Sequence, residues 1–274
     1  MSSPNTDPDV IFATPCFGFK IEPTHKKSAT QTEWLLAKHG ISSGYMERNG
    51  DCFVAKARSK LVTDFLQQFP QTQNFFFIDD DVGWPPPKVI EFLMNPYPIV
   101  CGAYPKKSKE VDFPVTLASK NGELIKNEYG HCLAMLAPAG FMRIKRDVLE
   151  RLVETCNTFT DLEPDGEIHT FSNIFEAGRA EDGRFWGEDY TFTRKVQILG
   201  YDIWCDPDIE FDHSGHFTWR DSLGAHLETF AERARELYAQ QQAGTLDETL
   251  MINYPRVRDE PAVSISDERG EAAE

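Results

Sequence analysis

The chain has 274 residues, of which 41% are hydrophobic, and its formal net charge is -16. This length supports one sizeable core, no apolar run reaches the roughly 18 residues of a membrane-spanning helix, and the acidity disfavours broad binding to a nucleic-acid backbone. The start, MSSPNTDPD, has no signal-peptide pattern, and the six cysteines form no CxxC pair. We therefore expect a soluble cytoplasmic protein with free thiols and no stable membrane insertion.

In the first half of the chain, strand and helix patterns alternate. Residues 10–13 (VIFA) predict a strand that stops at Pro15, and residues 30–40 predict a short helix ending at a glycine. Residues 51–69 give the clearest helical pattern, because apolar side chains recur at the spacing of one helix face. Asp51 is expected to cap this helix. The alternation predicts a parallel α/β arrangement.

Residues 75–78 (FFFI) are apolar on both faces, as expected of a central parallel strand. The other predicted elements are a helix over 84–94, a strand over 98–103, a hairpin around Asn121 and Gly122, strands and a helix over 131–153, a helix over 187–199, short strands over 201–213 and a charged helix over 222–242. Together they predict an α/β fold with a Rossmann-like mixed sheet, mainly parallel in the N-terminal half and flanked by helices. We expect a single domain over residues 10–254 between flexible tails at residues 1–9 and 255–274.

Three acids, Asp79, Asp80 and Asp81, directly follow the FFFI strand. Ligands of open parallel sheets bind beyond the carboxyl ends of the strands, and continued strand geometry would place Asp79 and Asp81 on one side and Asp80 on the other. Paired carboxylates at such a place can hold Mn²⁺, Mg²⁺ or a ribose hydroxyl. The alternative is an acidic turn that caps the following helix.

Basic residues stand at two places where they can meet phosphate. Lys106 and Lys107 follow the next strand in YPKKSK and can neutralise a diphosphate, or they belong to a solvated loop. Arg58 lies on the helix before the FFFI strand, between Lys56 and Lys60, and can bind phosphate bidentately. The alternative for Arg58 is the solvated face of an amphipathic helix.

The stretch RFWGEDY places Glu188 and Asp189 in the first turn of a predicted helix. Either carboxylate can act as a general base on an acceptor hydroxyl, or the pair stabilises the helix N-terminus through the helix dipole. The neighbouring Trp186 can stack on an acceptor ring or belong to the core. The pattern itself leaves these alternatives open.

The stretch FDHSGH contains a histidine at the end of a short predicted strand. His213 can complete a metal site, because imidazole is a ligand for Mn²⁺ as well as for softer ions. The alternative is a structural hydrogen bond of the kind that many histidines make near strand ends. Asp212 and His216 are weaker candidates for the same site.

These motifs follow one another in the order ATPCFG, ARSKLVTDFL, FFFIDDDV, GAYPKK, APAGFMRIKRDVLE, GEDYTFTRKVQILGYDIWCDP and DHSG. In this order they resemble the nucleotide-sugar glycosyltransferases of the GT-A type, and especially the family 2-like proteins of bacteria and phages. The resemblance covers residues 10–220. It implies a GT-A fold and metal-dependent transfer of a sugar from a nucleotide diphosphate sugar, most commonly a UDP-sugar, to an acceptor hydroxyl. Inversion at the sugar is implied when metal and base are both present.

The resemblance also implies roles for individual residues on the donor side. Asp79 and Asp81, with Asp80 between them, would bind the ribose and a Mn²⁺ or Mg²⁺ ion that bridges the diphosphate. His213 would be a further metal ligand, and Pro15 and its neighbours would lie where the base and ribose bind. Three acids at the end of a buried strand would then be neutralised by the ion and its nucleotide.

On the acceptor side, the resemblance makes Asp189 the base in preference to Glu188.

The remaining matches concern the binding of the nucleotide donor. Arg58 matches the arginine of an ARN-like helix, although Ser59 stands where an Asn is usual, which puts a contact from that position in doubt. The two lysines of GAYPKK match the basic residues that follow this strand in such enzymes.

The acceptor is a glycan or a lipid-linked sugar in many enzymes of this type. An alternative acceptor is a modified base, a hydroxymethylpyrimidine, in phage DNA. A basic strip for DNA is available within the acidic chain and consists of Lys56, Lys60, Lys106, Lys107, Lys109, Arg143, Lys145 and Arg146. The expected location is the cytoplasm of a bacterium or of a phage-infected cell, and the sequence predicts no oligomeric state.

Two further hypotheses change the function class. A nucleotidyltransferase or a metal-dependent phosphohydrolase also uses acids at strand ends, but nucleotidyltransferases usually carry a Gly-rich loop after the first strand, where TPCFGFK has only Gly18. An inactive sugar-binding module is the other hypothesis. The complete set of acids and the Glu-Asp pair disfavour an inactive module.

Overall fold

The computed structural model describes residues 7–179, 183–215 and 217–242. Three predictions fall outside these residues, namely the tail at residues 255–274, the start of the N-terminal tail at residues 1–6 and the weaker metal candidate His216. Within the described ranges, none of the helices has both the length and the apolar character needed to cross a lipid bilayer.

Residues 7–9 belong to the predicted flexible tail but are tied to the domain. The backbone N of Gln71 donates a hydrogen bond to Asp7 Oδ2 at 2.8 Å. The backbone N of Ser42 donates a hydrogen bond to Asp9 Oδ2 at 2.7 Å. These hydrogen bonds join the end of the predicted tail to the loop before β3 and to the residue before β2.

The described residues contain helices α1 (Pro23–Lys38), α2 (Val54–Gln68), α3 (Pro87–Met94), α4 (Arg146–Thr155), α5 (Glu188–Ile198) and α6 (Leu223–Gln242). Helix α1 begins earlier than the sequence predicted, whereas the other helices lie where the patterns placed them. Phe53 occupies the N-cap position of α2, and Asp51 accepts a hydrogen bond from the Phe53 backbone N at 3.2 Å. Asp51 therefore forms a turn before the helix, and the predicted cap is wrong.

The strands in chain order are β1 (Val10–Cys16), β2 (Ser43–Asn49), β3 (Asn74–Ile78), β4 (Val82–Gly83), β5 (Ile99–Gly102), β6 (Thr116–Leu117), β7 (Ser119–Lys120), β8 (Glu123–Leu124), β9 (Cys132–Leu136), β10 (Phe141–Lys145), β11 (Thr158–Leu162), β12 (Ile168–Ser172), β13 (Gly178–Arg179), β14 (Phe185–Trp186), β15 (Ile203–Asp206), β16 (Glu210–Ser214) and β17 (Thr218–Ser222). Eight of them form the main sheet, in the order β2-β1-β3-β10-β5-β15-β9-β6. The others form small sheets, of which β17-β16-β4 lies next to the three acids.

Six strands of the main sheet point in the same direction. Strand β1 pairs in parallel with β2 and β3, β10 runs antiparallel between β3 and β5, and β15 is parallel to β5. Strand β6 joins them, because it runs antiparallel to β9, which is itself antiparallel to β15. The C-terminal ends of β1, β2, β3, β5, β6 and β15 therefore lie along one side of the sheet, here named the carboxyl edge. The predicted α/β fold, with a mixed sheet whose N-terminal strands run in parallel and with flanking helices, is confirmed.

Strand β3 is buried on both faces, as its sequence predicted. Phe75 and Phe77 pack in the core beneath α2, α4 and α5, whereas Phe76 and Ile78 pack in the core beneath α1 and α3. All four side chains are fully buried, and each buried Phe contributes about 1.5–3 kcal/mol to folding. Asp79 follows Phe75 and Phe77 in the same alternation, so its side chain is directed toward α2 as well.

Strand β2 was not predicted, because its sequence SGYMERN is polar and half-exposed, as suits the edge strand that it forms beside β1. Strand β1 also continues past its predicted end through Pro15 to Cys16. The predicted hairpin is confirmed: Asn121 and Gly122 connect β7 to β8 with φ angles of 56° and 79°. Positive φ at both central residues is the geometry that favours Asn-Gly in a tight hairpin turn.

Candidate functional site

The three acids leave the carboxyl end of β3 in different directions. The segment is fixed by its backbone, since Asp79 N donates to the Gly140 carbonyl oxygen at 3.0 Å and Ser214 N donates to the Asp81 carbonyl oxygen at 2.8 Å. Asp79 contacts α2, Asp81 contacts β16 and the loop after β5, and Asp80 lies near the end of β1. The side chains of Asp79 and Asp81 therefore have separate sets of partners.

Both carboxylate oxygens of Asp79 are bound by side chains of the protein. Arg58 Nη2 donates to Oδ1 at 2.8 Å, and the Tyr104 hydroxyl donates to Oδ2 at 2.8 Å. Gly140 leaves just enough room for this arrangement, because a methyl group there would overlap Asp79 Oδ2 and the Tyr104 hydroxyl oxygen. Asp79 is thus the counter-ion of Arg58 in this structure, and its predicted role as a metal ligand stays a prediction.

Arg58 is the central cation of the site. Its side chain is 4% exposed, and its Nε lies 3.6 Å from Glu188 Oε1. Burial lowers the pKa of Arg58, but the negative charges of Asp79, Glu188 and Asp189 outweigh this effect and raise it. Its Nη1 is buried without a hydrogen-bond partner among the described residues. The solvated helix face considered for Arg58 is therefore excluded.

Asp81 meets two nitrogen-containing side chains. Lys107 Nζ donates a hydrogen bond to Asp81 Oδ2, and His213 Nε2 lies 3.4 Å from Asp81 Oδ1. Burial raises the pKa of Asp81, but the proximity of His213 and Lys107 outweighs burial and lowers it. The structure thus brings three of the residues predicted for the metal and the diphosphate together around one ionised carboxylate.

The orientation of His213 is fixed by its other ring nitrogen. Nδ1 lies 2.7 Å from the carbonyl oxygen of Pro105, and because a carbonyl can only accept, Nδ1 carries a proton. With Nδ1 as the donor, Nε2 faces Asp81 Oδ1, so the two atoms are directed at one position where a cation could bind.

Asp81 and His213 together fit a hard or borderline divalent ion. One carboxylate oxygen and one imidazole nitrogen are the donor types that Mn²⁺ accepts. The described ranges contain no group of three or more His, Cys, Asp or Glu side chains that could hold an ion. Phosphate oxygens and water would therefore have to complete the coordination, as is usual for ions that bind with a nucleotide.

Asp80 lies on the other side of the segment, beside Cys16. Burial raises the pKa of Asp80 to about 6, and the charges of Asp81 and Asp79 add to the rise. Burial and Asp80 in turn raise the pKa of the Cys16 thiol to about 11. Asp80 thus points toward the end of β1, where the resemblance placed the base and ribose of a nucleotide.

Glu188 and Asp189 begin α5, as predicted. Burial raises the pKa of Asp189 to about 6, with Arg58 acting against the rise and Glu188 adding to it. Glu188 pairs with Arg58, so its charge is already engaged. A carboxylate with a pKa near 6 is ionised at neutral pH and is a stronger base than an ordinary aspartate. The geometry favours Asp189 over Glu188 as the base candidate.

Two of the remaining candidates lie at the rim of the site. Trp186 is half-buried in β14, where it pairs with Gly178, and it follows Phe185, which is 76% exposed. Lys106 does not join the acids, since it donates to Asp112 at 2.5 Å and 46% of its side chain is exposed. Lys106 therefore lies in a solvated loop, the alternative considered for it, whereas Lys107 faces the site.

Pro15 is buried within β1, and the exposed surface of this loop begins at Phe17. Five phenylalanines with highly exposed side chains were not predicted to be important from the sequence. Their exposed fractions run from 63% to 76%, and the set consists of Phe17, Phe19, Phe53, Phe185 and Phe217. Exposed rings are common on protein surfaces, and each of these provides an apolar face on which a planar or ring-shaped ligand can stack.

The basic strip considered for DNA is not a continuous surface. Arg143 is fully buried and donates to backbone carbonyl oxygens between α3 and β5, and Arg146 donates to carbonyl oxygens near the end of α2. Lys56 and Lys60 both pair with Asp161 of β11. These four cations hold the fold together, so the predicted strip is wrong.

The sequence analysis also missed a buried chain of hydrogen bonds behind the acids. His25 Nδ1 donates to the Asp79 carbonyl oxygen at 2.8 Å, which leaves His25 Nε2 to accept from the Tyr45 hydroxyl. The Thr14 hydroxyl then donates to the Tyr45 oxygen at 2.9 Å. Burial lowers the pKa of His25 and keeps it neutral, as this chain requires. No motif signalled these residues, because they come from α1, β1 and β2.

No protein-family model matches the chain, and no curated protein matches it significantly. Among solved structures, A197 from STIV has a TM-score of 0.47 and 18% identity, with 78% of this chain and 90% of A197 covered. A glycosyltransferase involved in the glycosylation of the major capsid of PBCV-1 has a TM-score of 0.31 and 17% identity, with 53% of this chain and 63% of that protein covered. The inositol-1-phosphate CTP transferase from T. maritima has a TM-score of 0.37 and 9% identity, with 77% and 90% covered. Two of the three are transferases, but at these TM-scores none of the similarities assigns an activity to this chain.

Proposed function

We propose that this protein is a glycosyltransferase that moves a sugar from a nucleotide diphosphate sugar, with a UDP-sugar as the expected donor, to an acceptor hydroxyl in the presence of Mn²⁺ or Mg²⁺. One observation carries the proposal: a continuous line of contacts at the carboxyl edge joins a cation-binding end to a candidate base. Asp81 Oδ1 lies 3.4 Å from His213 Nε2, and the ring centroids of His213 and Tyr104 are 4.8 Å apart. The Tyr104 hydroxyl binds Asp79 at 2.8 Å, and Arg58 binds the other oxygen of Asp79 at 2.8 Å. Arg58 Nε lies 3.6 Å from Glu188, which precedes Asp189.

At the donor end, Asp81 and His213 Nε2 would hold the ion, and Lys107 would add a positive charge beside it. When bound, the ion neutralises the negative charge that develops on the departing diphosphate. Asp80 lies beside Cys16 at the end of β1, and in this proposal it would accept a hydrogen bond from a ribose hydroxyl. Asp79 acts indirectly by holding Arg58 beside the Glu-Asp pair.

At the acceptor end, Asp189 would take the proton of the acceptor hydroxyl. As the acceptor oxygen forms its bond to the sugar carbon, the bond between that carbon and the diphosphate oxygen breaks, and its electron pair leaves with the diphosphate. Attack from the face opposite the leaving group inverts the configuration at the sugar. Arg58 stabilises the ionised forms of both acids, which keeps Asp189 available as a base near neutral pH.

A glycan or another sugar-containing acceptor suits this site better than phage DNA. Phe185 and Trp186 come shortly before Asp189 in the chain and would supply ring faces for the acceptor, and stacking on a sugar ring needs no positive charge. DNA binding would need outward-facing cations to replace counterions along its phosphates, whereas Arg143, Arg146 and Lys60 are engaged inside the protein.

The proposal can be tested by thermal unfolding with a panel of nucleotides and sugar nucleotides, each with and without Mn²⁺. A ligand at 100 times its dissociation constant stabilises a protein by about 2.7 kcal/mol, which corresponds to roughly 5–10 °C for a chain of this size. We expect such a shift for one nucleoside diphosphate and its sugar nucleotides when Mn²⁺ is present. The absence of a shift with every nucleotide would reject the donor assignment.

A further inference from the structure

Lys107 binds one oxygen of Asp81, the carboxylate that would also hold the proposed ion. Its ammonium group donates to Asp81 Oδ2, while the other oxygen, Oδ1, faces His213. About a third of the Lys107 side chain is exposed, compared with 24% for Asp81. Lys107 is thus partly exposed and binds one oxygen of the carboxylate that would hold the ion.

The contact between Lys107 and Asp81 is supported by the loop that carries the lysine. Trp219 Nε1 donates to the Ser108 carbonyl oxygen at 2.8 Å. The aliphatic part of Lys107 lies against Gly215, where an added methyl group would be 3.3 Å from Lys107 Cδ. Because loop and stem are both held, less side-chain entropy is lost when the ammonium binds Asp81 than for a free surface lysine.

A divalent ion at Asp81 would stand beside the positive charge of Lys107. Two positive charges that bind the same carboxylate repel each other, and this repulsion is strongest where the protein excludes part of the water. A diphosphate removes this conflict, since its oxygens can accept hydrogen bonds from the ammonium group and ligate the ion at the same time.

We propose that Lys107 and the metal ion compete for Asp81, so that the ion binds well only together with a nucleoside diphosphate, to which Lys107 then transfers its hydrogen bond. This inference rests on the proposed function for the identity of the anion. It does not rest on it for the competition itself, which involves only Lys107, Asp81 and the ion. Lys107 is thus a positioning residue that makes the binding of metal and donor interdependent.

The neighbouring lysine provides a matched control. Lys106 carries the same charge in the same loop, but it binds Asp112 at 2.5 Å and does not contact Asp81. Removal of its charge changes the net charge of the protein by the same amount. Any difference between the two variants therefore reports contact with Asp81 and not a general electrostatic effect.

The test is a titration of the free protein with Mn²⁺, followed by electron paramagnetic resonance of unbound Mn²⁺, on wild type, K107M and K106M. We expect K107M to bind Mn²⁺ roughly tenfold more tightly than wild type, within the range of typical coupling between sites. K106M should behave as wild type, and D81N/K107M should lose the gain. Equal or weaker binding by K107M, with an unchanged unfolding temperature, would overturn the competition. If K107M does not fold, K107Q replaces it in the same titration.

A second titration with UDP present separates this inference from the proposed function. We expect UDP to tighten Mn²⁺ binding in wild type by about 5–150-fold and to do so less in K107M. If K107M binds Mn²⁺ more tightly but no nucleotide binds any variant, the competition stands and the donor assignment falls. If wild type binds UDP and Mn²⁺ together but K107M matches wild type without nucleotide, the donor assignment stands and the competition is overturned.

Discussion

The first and last acids of the DDD segment are two residues apart, yet they belong to different parts of the site. The inner half consists of Asp79, Arg58, Tyr104 and Glu188, in which every Asp79 oxygen is bound and the Arg58 side chain is 4% exposed. The outer half consists of Asp81, His213 and Lys107, where a third of the lysine side chain is exposed. The two carboxylates themselves are similarly exposed, 19% for Asp79 and 24% for Asp81, so the two halves differ mainly in the exposure of their cations.

The two halves differ in how easily another group can replace a partner of the ion pair. When one partner of a buried ion pair is removed, the other charge is left uncompensated, and the free energy of unfolding falls. A partly exposed pair contributes little to stability, because water screens it and can replace either partner. We therefore expect changes in the inner half to alter mainly folding, and changes in the outer half to alter mainly ligand binding.

The largest expected effect concerns the base beside the inner half. Asp189→Asn should lower the turnover of a donor sugar nucleotide by about 10²–10⁴-fold, the usual contribution of a general base, while the protein remains folded. The measurement is kcat for nucleoside diphosphate release, with water or the identified acceptor, together with the unfolding temperature. A variant that keeps turnover close to wild type would show that Asp189 is not the base.

Arg58→Met should break the inner half. It leaves Asp79 and Glu188 without their cation, and the loss of one partner of a buried ion pair costs about 3–5 kcal/mol of the free energy of unfolding. Urea denaturation measures this loss. Lys106→Met is the matched control and should stay within about 0.5 kcal/mol of wild type, as exposed positions usually do. Equal stability of the two variants would contradict the inner half as a folding unit.

Tyr104→Phe removes a single donor from Asp79 and keeps the ring that packs against His213. The hydroxyl binds a charged acceptor at 2.8 Å, and such hydrogen bonds contribute about 1.5–3 kcal/mol. We expect a loss of stability in this range in urea denaturation and an unchanged Mn²⁺ affinity of the free protein. A variant with wild-type stability but altered Mn²⁺ binding would place Tyr104 in the outer half.

The pH dependence of turnover should sharpen the assignment of the base. Asp189, whose pKa is raised to about 6, must be ionised to take a proton, so kcat/KM should be level above this pH and fall by about tenfold per unit below it. Because the pKa of Asp80 is also about 6, the profile should be repeated on Asp80→Asn. If the midpoint of the pH profile near 6 disappears in Asp80→Asn, the profile reports the ionisation of Asp80, which would contradict the role of Asp189.

Local patterns predicted the parts of the site that depend on neighbouring residues in the chain. The four apolar residues of β3 made a buried strand, and the acids that follow it had to emerge at the carboxyl edge. Likewise, the Gly-Glu-Asp stretch predicted the start of α5, and the order of motifs predicted the α/β sheet. The strand, its acids and the start of α5 are each set within about ten residues, which is the range where periodicity and turn preferences act, whereas the sheet followed from the alternation of such segments along the chain.

The features that the sequence did not predict depend on contacts between distant segments. Nothing in the segment of Asp79 shows that Arg58 and Tyr104 bind it from α2 and from the loop after β5. Arg143 and Arg146 looked like surface cations, but they are buried against backbone carbonyl oxygens. A single sequence gives the charge of a residue, whereas its burial and its partners are decided by the packed fold.

The most direct test of the central claim is to identify which bond of a sugar nucleotide the protein breaks. Wild type and Asp81→Asn are incubated with a panel of UDP-sugars and other sugar nucleotides, with Mn²⁺ or with a chelator, and the products are identified by mass spectrometry. We expect a nucleoside diphosphate and a released or transferred sugar, formed with Mn²⁺ and lost in Asp81→Asn. Products cleaved between the phosphates, or the same products from Asp81→Asn and from the chelator sample, would contradict a glycosyltransferase that uses Asp81 to hold its ion.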